Sequence, residues 1–531
     1  MSNMNFVWFA IAVALTFFFS SCENLDEKEI PEPVEIEVAD TIEVLLEPTF
    51  LPDTSYMSAQ QLYYQIDTFL AIDAQLATLK DAYDSAPGIF TFRGDISRNP
   101  NFVGHIHGDS VKMKVDWVFE TAYDASPTNY DVWGGGCGWT GQPLYVEWPD
   151  SLVERFRQES DSLMPSFSNR EVIVASLCRK IYFINFETGE KTRKTIDAGN
   201  VVKGTPGLDP SMNGLLFVGQ GVPYKGQFGN LTIDLFKHKR VDFFPKDPHA
   251  WRSWGAYDPS PSVVGGFLFR LGENGTVYKY YYNGEKYELH STLRYSTSKA
   301  KSSPGMESSL ATYLNYGYFS DNKGNVLCIN LNNLRPVWHY FNHDDSDASV
   351  LVDVEAGCPY VYSGCEVDRQ GMSGISYFVK LNGLTGERVW EVQVPCNRIS
   401  FVSKVLDGGM FSSPLLGLGD CEGMIFTNFC VNKSEMKGCL AAIDKNDGRV
   451  IYKTKLKQYA WSSPVPFLND NNEMFIFTGD TNGRVYMIKG ATGEIILCEK
   501  LGKNFEGSPI AVGNSVIIGS RGNNIYKVSF E

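Results

Sequence analysis

Several motifs that bind phosphate or carry hydrolytic catalysis are absent from this sequence. It has no Gly-x-x-x-x-Gly-Lys-Ser/Thr, no Gly-x-Ser-x-Gly and no Cys-x-x-Cys-His. These absences argue against a P-loop nucleotide site, an α/β-hydrolase nucleophile elbow and covalently attached haem. Basic residues are in the minority as well: 47 Lys and Arg stand against 62 Asp and Glu, for a net charge of −15. A nucleic-acid partner requires a basic surface, so we expect none.

Long hydrophobic runs are also scarce. Residues 6–19 form the one strongly apolar segment, which is too short for a comfortable membrane span, and Ser20, Ser21 and Cys22 follow it. Small residues directly before a cysteine resemble the lipobox of bacterial lipoproteins. We therefore interpret residues 1–21 as a lipoprotein signal peptide and Cys22 as the lipidated first residue. The alternative is an uncleaved anchor followed by an incidental cysteine.

The next segments differ in composition from the rest of the chain. Residues 22–56 are rich in acidic residues and Pro, which predicts an extended acidic tether. Acidic residues after the lipidated cysteine resemble the export tags of some surface lipoproteins, although a plain spacer would have the same composition. Residues 57–89 carry apolar side chains at approximately helical spacing, including Leu62 and Ile66, which predicts a short helix beside the main domain. That domain then spans residues 90–531.

The cysteines allow few disulfides. Cys430 and Cys439 flank the probable turn VNKSEMKG, so they could face each other across a hairpin. An exported protein is in a compartment where disulfides form. This pair is the one disulfide that we predict.

A short pattern recurs along the main domain: a small residue, a proline and then an apolar strand. The gap between Pro304 and Pro414 is about twice the usual spacing, and a unit beginning at Ser349 fills it. The prolines that mark the other units are Pro143, Pro206, Pro261, Pro304, Pro414, Pro464 and Pro509.

Each unit continues with further strand signals. Second strands such as MFIFTGD and third strands such as GRVYMIKG are followed by turns such as ATGE and by a fourth strand that often carries Trp. Four short antiparallel strands per unit predict an all-β fold, an eight-bladed β-propeller. The last unit has three strands, and residues 114–121, with Trp117, supply the missing fourth, so the N- and C-terminal segments close the ring.

The series SSP, FIFTGD, GRVYMIKGATGE resembles the PQQ-like repeat of the quinoprotein-dehydrogenase propellers, over residues 114–530. Two branches share this repeat. One contains PQQ-dependent dehydrogenases, which hold a quinone and Ca²⁺. The other contains non-catalytic propellers, notably BamB-type lipoproteins of the outer-membrane β-barrel assembly machinery.

The resemblance to the catalytic branch is incomplete. Many of its members have adjacent cysteines beneath the quinone, whereas this sequence has no Cys-Cys pair and no recognisable dehydrogenase motif. We therefore assign no catalytic residue and expect no cofactor. PQQ with Ca²⁺ remains the alternative.

Histidines offer one weak metal signal. His105 and His107, in GHIHG, are two residues apart on one strand face, but no carboxylate or cysteine cluster lies nearby in the sequence. An exposed pair of histidines explains this pattern without a metal, so we expect no metal site.

The most informative positions lie three residues before each marker proline, where the chain enters the innermost strand at the mouth of the channel. They combine charges with large aromatics, unlike ordinary turns. The alternative is a solvated rim with a few packed aromatics. These residues are Thr140, Lys203, Asp258, Lys301, Phe411, Trp461 and Glu506.

Two loops add aromatic residues to the same rim. The glycine-rich run 133–143 contributes Trp133 and Trp139 and precedes a strand, so it offers no helix N-terminus to a phosphate. The loop 248–261 contributes Trp251, Arg252, Trp254 and Tyr257. Trp, Tyr and Arg are enriched at binding hot spots, and they also stack on sugars.

We therefore expect an outer-membrane lipoprotein, facing the periplasm or the cell surface, whose propeller rim binds a protein partner or ligand. A scaffold in outer-membrane protein assembly is the specific role that the resemblance implies. A PQQ-dependent oxidoreductase and a surface glycan-binding protein are the alternatives.

Overall fold

The structure is a computed structural model that describes residues 56–58, 62–72, 83–108, 111–128, 132–138, 141–297, 304–400, 405–433 and 436–531. Within these ranges, eight antiparallel sheets of at least four strands follow one another along the chain. Each sheet has the meander of a propeller blade. The predicted eight-bladed propeller is confirmed.

Strands are given from the innermost to the outermost. Blade 1 contains Leu144–Glu147, Arg170–Ala175, Lys180–Asn185 and Ile196–Asp197; blade 2 contains Gly207–Leu208, Leu215–Gly219, Gly229–Asp234 and Lys239–Pro245; blade 3 contains Ser262–Val264, Phe267–Gly272, Thr276–Tyr282 and Tyr287–Ser296; blade 4 contains Ala311–Tyr313, Tyr316–Ser320, Asn325–Asn330 and Pro336–Phe341.

Blade 5 contains Leu351–Glu355, Cys358–Gly364, Ser373–Asn382 and Arg388–Asn397; blade 6 contains Leu415–Leu416, Met424–Lys433, Met436–Asp444 and Val450–Leu456; blade 7 contains Val465–Asn469, Met474–Gly479, Arg484–Lys489 and Ile495–Lys500; blade 8 contains Ile510–Val512, Ser515–Gly519, Asn524–Phe530 and Met113–Glu120.

Shorter elements lie around the blades. The helix α1 (Asp150–Glu159) lies in the insertion of blade 1, where Phe156 is fully buried. Within the described residues, no helix has the length and apolar character needed to cross a membrane. The other elements within the described ranges are the 3₁₀ turn Gly419–Cys421 and the strands Tyr56–Ser58, Tyr63–Thr68, Gly88–Ile89, Gly104–Ile106, Asp124–Pro127, Val132–Gly134, Glu366–Val367, Ile399–Ser400, Val405–Leu406 and Gly408–Gly409.

Tryptophans on the outer strands of three blades fasten those blades to the next one. The indole N–H of Trp338 donates to the carbonyl of Gly383 at 2.8 Å, in the turn between the third and fourth strands of blade 5. A Cβ on Gly386 in the same turn would lie 2.7 Å from the Trp338 ring. Trp117 with Gly189 and Trp390 with Gly448 repeat this arrangement. The TGE and NDG turns therefore need glycine both for a positive φ and to admit the ring.

A ring of hydroxyl groups explains the small residue in the repeat. The backbone N–H of the residue that enters each inner strand donates to a side-chain hydroxyl in the next blade. Such bonds at six junctions join Gln142 to Thr205, Ser260 to Ser309, Ser309 to Ser349, Ser349 to Ser413, Ser413 to Ser463 and Ser463 to Ser508. Serine, rather than the proline that follows it, is therefore the functional part of the marker.

One segment, which we call the axial strap (residues 88–106), crosses the inner strands of the blades in order. It begins as a strand on blade 1 and ends as a parallel strand on blade 7. Between them it bonds to blade 2 through Phe90, to blade 4 through Ile96 and to blade 5 through Ser97. It thus satisfies backbone groups of the inner strands that would otherwise face the channel.

Two buried arginines hold the strap at the axis. Arg93 donates to the carbonyls of Pro464 (2.6 Å) and Pro414 (2.8 Å), in blades 7 and 6. Arg98 donates to the carbonyl of Leu310 in blade 4 at 2.8 Å. Burial lowers the pKa of Arg93 to about 9, which still leaves the guanidinium charged at neutral pH.

The predicted ring closure is confirmed, whereas the predicted helix does not occur in the described part of residues 57–89. Met113–Glu120 pairs with Asn524–Phe530 and completes blade 8, as predicted. The described part of 57–89 contains strands instead of the expected helix: Tyr63–Thr68 pairs with Tyr287–Ser296 as an extra outer strand of blade 3. A sheet edge that needs a partner outweighs a weak helical periodicity.

The marker of blade 4 is corrected. Its inner strand is Ala311–Tyr313, and Ser309 supplies the hydroxyl of the ring, so the marker is Ser308-Ser309-Leu310 and not the triplet ending in Pro304. The unit predicted at Ser349 is confirmed, because Ser349 occupies the same position in blade 5.

The predicted disulfide is not formed. Cys430 is opposite Gly438 in the register of blade 6, whereas Cys439 is opposite Phe429. Adjacent register positions point to opposite faces of a sheet, and both thiols are free and buried. Cys22, Trp139, Thr140 and Lys301 lie outside the described residues.

Candidate functional site

The residues that line the mouth of the channel occupy one structural position in every blade, three residues before the end of each marker. We call them the channel ring. With the marker of blade 4 corrected, Glu307 replaces Lys301, and the unit at Ser349 adds Asp347. The described members of the channel ring are Lys203, Asp258, Glu307, Asp347, Phe411, Trp461 and Glu506.

The sequence analysis placed these residues on an exposed rim, but the side chains of the channel ring are largely buried. Lys203 is 8% exposed, Asp258 6% and Trp461 5%. A cavity of about 20 Å³ lies between the ring and Phe92 of the axial strap, lined by Asp258, Glu307 and Asp347. This volume holds a water molecule. The side chains and the strap therefore fill the axis.

Lys203 neutralises the first half of the ring. Its ammonium forms an ion pair with Asp258, lies 3.3 Å from Oε2 of Glu307 and 3.8 Å from Oε1 of Glu273. Burial alone would lower the pKa of Lys203, but attraction to the surrounding carboxylates raises it well above its usual value. Burial and repulsion from Glu307 raise the pKa of Glu273, which also accepts a hydrogen bond from the Trp254 indole at 2.9 Å.

A second acidic group lies in the neighbouring blades. Carboxylate oxygens of Asp345, Asp347 and Glu366 lie within 4.8 Å of one another. Burial, followed by repulsion from Glu307, raises the pKa of Asp345 to about 8 and that of Asp347 well above its usual value. Arg369 is 3.8 Å from Asp345. Burial and mutual repulsion therefore favour the protonated form of these carboxyl groups, and a nearby cation would favour the charged form.

The opposite side of the ring is aromatic. Phe411 and Trp461 stack with their centroids 4.6 Å apart, above the buried thiol of Cys430 and beside Tyr459. Glu506 closes the circle, with Arg521 at 3.3 Å. The ring is thus charged over blades 2 to 5 and aromatic over blades 6 and 7.

Dehydrogenases of the catalytic branch hold a quinone and a cation. The residues present here suit the cation better than they suit the quinone. At the first acidic group, the ammonium of Lys203 takes the position that a divalent cation would need. The second group offers three carboxylates, and Oε1 of Glu366 has no hydrogen-bond partner within the described ranges, so its chemistry suits a hard cation such as Ca²⁺. The axial cavity of about 20 Å³ has the size of a water site and is not a preformed quinone pocket.

The loop 248–261 lies beside the charged half of the ring. Trp251, Arg252 and Trp254 are partly exposed, and Trp254 packs against Phe228 with a centroid distance of 5.7 Å. Tyr257 is buried and belongs to the packing between blades 2 and 3. Of the four predicted residues, three therefore reach the surface.

An exposed aromatic surface lies over blade 1. We call it the blade 1 patch and define it as Tyr123, Val132, Trp133, Arg179 and Tyr224. Tyr123 is 61% exposed, and Val132 and Tyr224 are each 37% exposed. Arg179 forms an ion pair with Asp124, and its guanidinium lies 3.9 Å from the Tyr224 ring centroid. Trp133 packs on Leu177 and Val222 and faces Arg521 at 5.3 Å.

Sequence reasoning found Trp133 and missed the rest of this patch. Val132 directly precedes the glycine-rich run that contains Trp133 and Tyr123 lies ten residues before that run, whereas Arg179 and Tyr224 come from turns of blades 1 and 2. The equivalent turns of successive blades lie on one face of a propeller. Collecting the second-to-third-strand turns of adjacent units, and not only their markers, would have brought these side chains together.

Known structures define the class of this fold. A quinohemoprotein alcohol dehydrogenase from Comamonas testosteroni has a TM-score of 0.57 and 13% identity, over 86% of this chain and 83% of that chain. A europium-containing methanol dehydrogenase gives 0.55 and 12%, over 84% of this chain and 99% of that chain. At such identities the likeness shows the fold, an eight-bladed propeller of the kind found in quinoprotein dehydrogenases.

A sequence match gives a second, narrower likeness. Residues 436–531 match the family model described as outer membrane protein assembly factor BamB. The predicted resemblance to the PQQ-like repeat is thereby confirmed over these residues, which run from the third strand of blade 6 to the end of the chain. None of the curated protein sequences matches this chain.

Proposed function

We propose that this protein is a non-catalytic binding propeller of the bacterial cell envelope, attached to the outer membrane through lipid on Cys22, and that the blade 1 patch contacts a protein partner. Periplasmic and surface orientations are both compatible with this proposal. An activity in outer-membrane protein assembly is the specific role that we favour.

The exposed blade 1 patch is the observation that carries the proposal. It combines Tyr, Trp and Arg on turns of a rigid scaffold, and those three residue types are the most enriched at binding hot spots. Arg179 is held between Asp124 and Tyr224, so little side-chain entropy would be lost on binding. An exposed surface of this composition is more typical of a site that binds a macromolecule than of a surface that faces only solvent.

The filled channel supports a binding function over quinone chemistry. The axial strap crosses the inner strands, and the channel ring closes over it with a cavity of about 20 Å³. The match of residues 436–531 to the BamB model favours an assembly role among the binding functions.

Affinity purification from detergent-solubilised membranes tests the proposal. We expect the wild-type chain to retain barrel-assembly proteins and the double variant Tyr123→Ser/Arg179→Ala to lose them. Tyr64→Ser is the matched control, because Tyr64 is 44% exposed but lies on the extra strand of blade 3. Equal recovery with all three chains would contradict the proposal. Binding of a polysaccharide in place of a protein, lost in the same double variant, would favour the glycan-binding alternative.

A PQQ-dependent oxidoreductase is the second candidate, because the cluster of Asp345, Asp347 and Glu366 suits Ca²⁺. Under this alternative, PQQ with Ca²⁺ raises the melting temperature beyond the effect of Ca²⁺ alone, and Glu366→Gln abolishes both increases. Under our proposal, PQQ adds nothing to the effect of Ca²⁺.

A further inference from the structure

A cluster of metal-ligating side chains lies outside the channel, where the axial strap meets blade 7. His105 lies at the end of the strap and His107 lies directly after it, and Asp470 belongs to the turn that follows the inner strand of blade 7. Nε2 of His105 is 3.1 Å from Oδ1 of Asp470, and Nδ1 of His107 is 3.3 Å from Oδ2. The two imidazole rings are 4.9 Å apart. Both histidines therefore contact the carboxylate of Asp470, although they are separated from it by 365 and 363 positions in the sequence.

The backbone holds these three side chains in place. Gly104–Ile106 pairs in parallel with blade 7, with His105 opposite Leu468. On the other side, the N–H of His105 donates to the carbonyl of Gly513 in blade 8 at 2.8 Å. Both imidazoles contact the same carboxylate, so the two side chains lie on the same side of the chain.

The turn that carries Asp470 is equally well defined. The Asn469 side chain accepts hydrogen bonds from the N–H groups of Asn471 (3.0 Å) and Glu473 (2.9 Å). Its amide nitrogen lies 3.5 Å from the carbonyl oxygen of Gly108, next to His107. The same asparagine thus joins the carboxylate turn to the residues that follow the strap.

The distances match tetrahedral coordination. Zinc binds imidazole nitrogen and carboxylate oxygen at about 2.0–2.2 Å, which places neighbouring donor atoms about 3.3–3.6 Å apart. The separations of 3.1 and 3.3 Å are close to these values, and all three donor atoms lie within 4.8 Å of one another. Two imidazoles and one carboxylate are a donor set that selects zinc and similar transition metals over Ca²⁺ or Mg²⁺.

A simple ion pair does not account for the arrangement as well. The three side chains are 45%, 74% and 57% exposed, so an ion pair between them contributes little to stability. A second imidazole directed at the same carboxylate adds still less.

We propose that His105, His107 and Asp470 form a zinc site that fastens the end of the axial strap to blade 7. Three protein ligands leave a fourth position for water. The site joins the segment leading from the N-terminus to the ring, so a bound ion stabilises the attachment of that segment.

Calorimetric titration of the full chain with ZnCl₂, without a polyhistidine tag, tests the proposal. We expect one equivalent of Zn²⁺ to bind and Asp470→Asn to weaken the binding by roughly tenfold or more. Asp470→His should restore binding, because it returns a nitrogen ligand. His249→Ala, which removes an exposed histidine elsewhere, should leave binding unchanged.

A second measurement reports the ligand set directly. Co²⁺ in place of Zn²⁺ should give the visible absorption of a tetrahedral nitrogen and oxygen site in the wild-type chain and lose it in His107→Ala. Absence of saturable binding, or equal losses in His107→Ala and His249→Ala, would overturn the proposal.

Discussion

The two halves of the channel ring occupy equivalent positions but use opposite chemistry. Over blades 2 to 5 the ring consists of Lys203, Asp258, Glu307 and Asp347, whereas over blades 6 and 7 it consists of the stacked Phe411 and Trp461. The neighbouring hydroxyl ring is nearly uniform around the circle. The propeller therefore requires a hydroxyl at one position and leaves the residue beside it free to vary.

The hydroxyl positions belong to the scaffold that holds the blades together, whereas the channel ring varies from blade to blade. Backbone-to-hydroxyl bonds join the blades at six junctions, and five of these bonds run from serine to serine. The channel ring faces the axis, where each half solves burial in its own manner: mutual neutralisation in one half and ring stacking in the other. Variants in the two halves should consequently differ in their pH dependence.

Removing the single ammonium of the charged half should have the largest effect. Lys203→Met leaves buried carboxylates without their cation, which we expect to lower the free energy of unfolding by about 3–5 kcal/mol at neutral pH. Denaturant unfolding measures this change. The loss should shrink once the pH is low enough to protonate the carboxylates that face Lys203, and an unchanged stability at pH 7 would refute the ion-pair account.

The aromatic half should respond without pH dependence. Trp461→Ala removes the partner of Phe411 from a buried cluster, and we expect a loss of about 3 kcal/mol in the free energy of unfolding. The same experiment at pH 5 and pH 8 should give equal losses. A loss that varied with pH would show that the two halves are coupled.

The acidic group beyond Lys203 should make stability fall as pH rises. The pKa of Asp345 is raised to about 8 in the folded protein and is near 3.8 when unfolded, so the native state binds the extra proton between these values. The free energy of unfolding should then decrease between about pH 4 and pH 8. Asp345→Asn should recover about 2 kcal/mol at pH 8 and almost nothing at pH 4. If Asp345→Asn left the pH dependence of the free energy of unfolding unchanged, that result would contradict the raised pKa of Asp345.

The repeating part of the fold was predictable because it is local. Each blade is a meander of neighbouring strands, and the closing strand carried its own signal in Trp117. The error at blade 4 is instructive, since Ser-Ser occurs both at 302–303 and at 308–309. Proline decided the prediction, whereas the serine hydroxyl decides the structure.

Features that depend on distant parts of the chain could not be predicted in this manner. The axial strap has no periodicity because its hydrogen bonds go to different blades in turn. The apolar spacing around Tyr63–Thr68 predicted a helix. The segment forms a strand because it pairs with residues more than two hundred positions away, which local periodicity does not reveal. Asp470 completes the histidine pair only after the ring has formed, so GHIHG alone gave no reason to expect it.

Photo-crosslinking in cells tests the central claim, that the blade 1 patch contacts a protein, most directly. A photoreactive amino acid at Tyr123, which is 61% exposed, should crosslink to an envelope protein that is absent when the same amino acid replaces Tyr64, which is 44% exposed. Crosslinks at position 64 alone, or at neither position, would contradict the account.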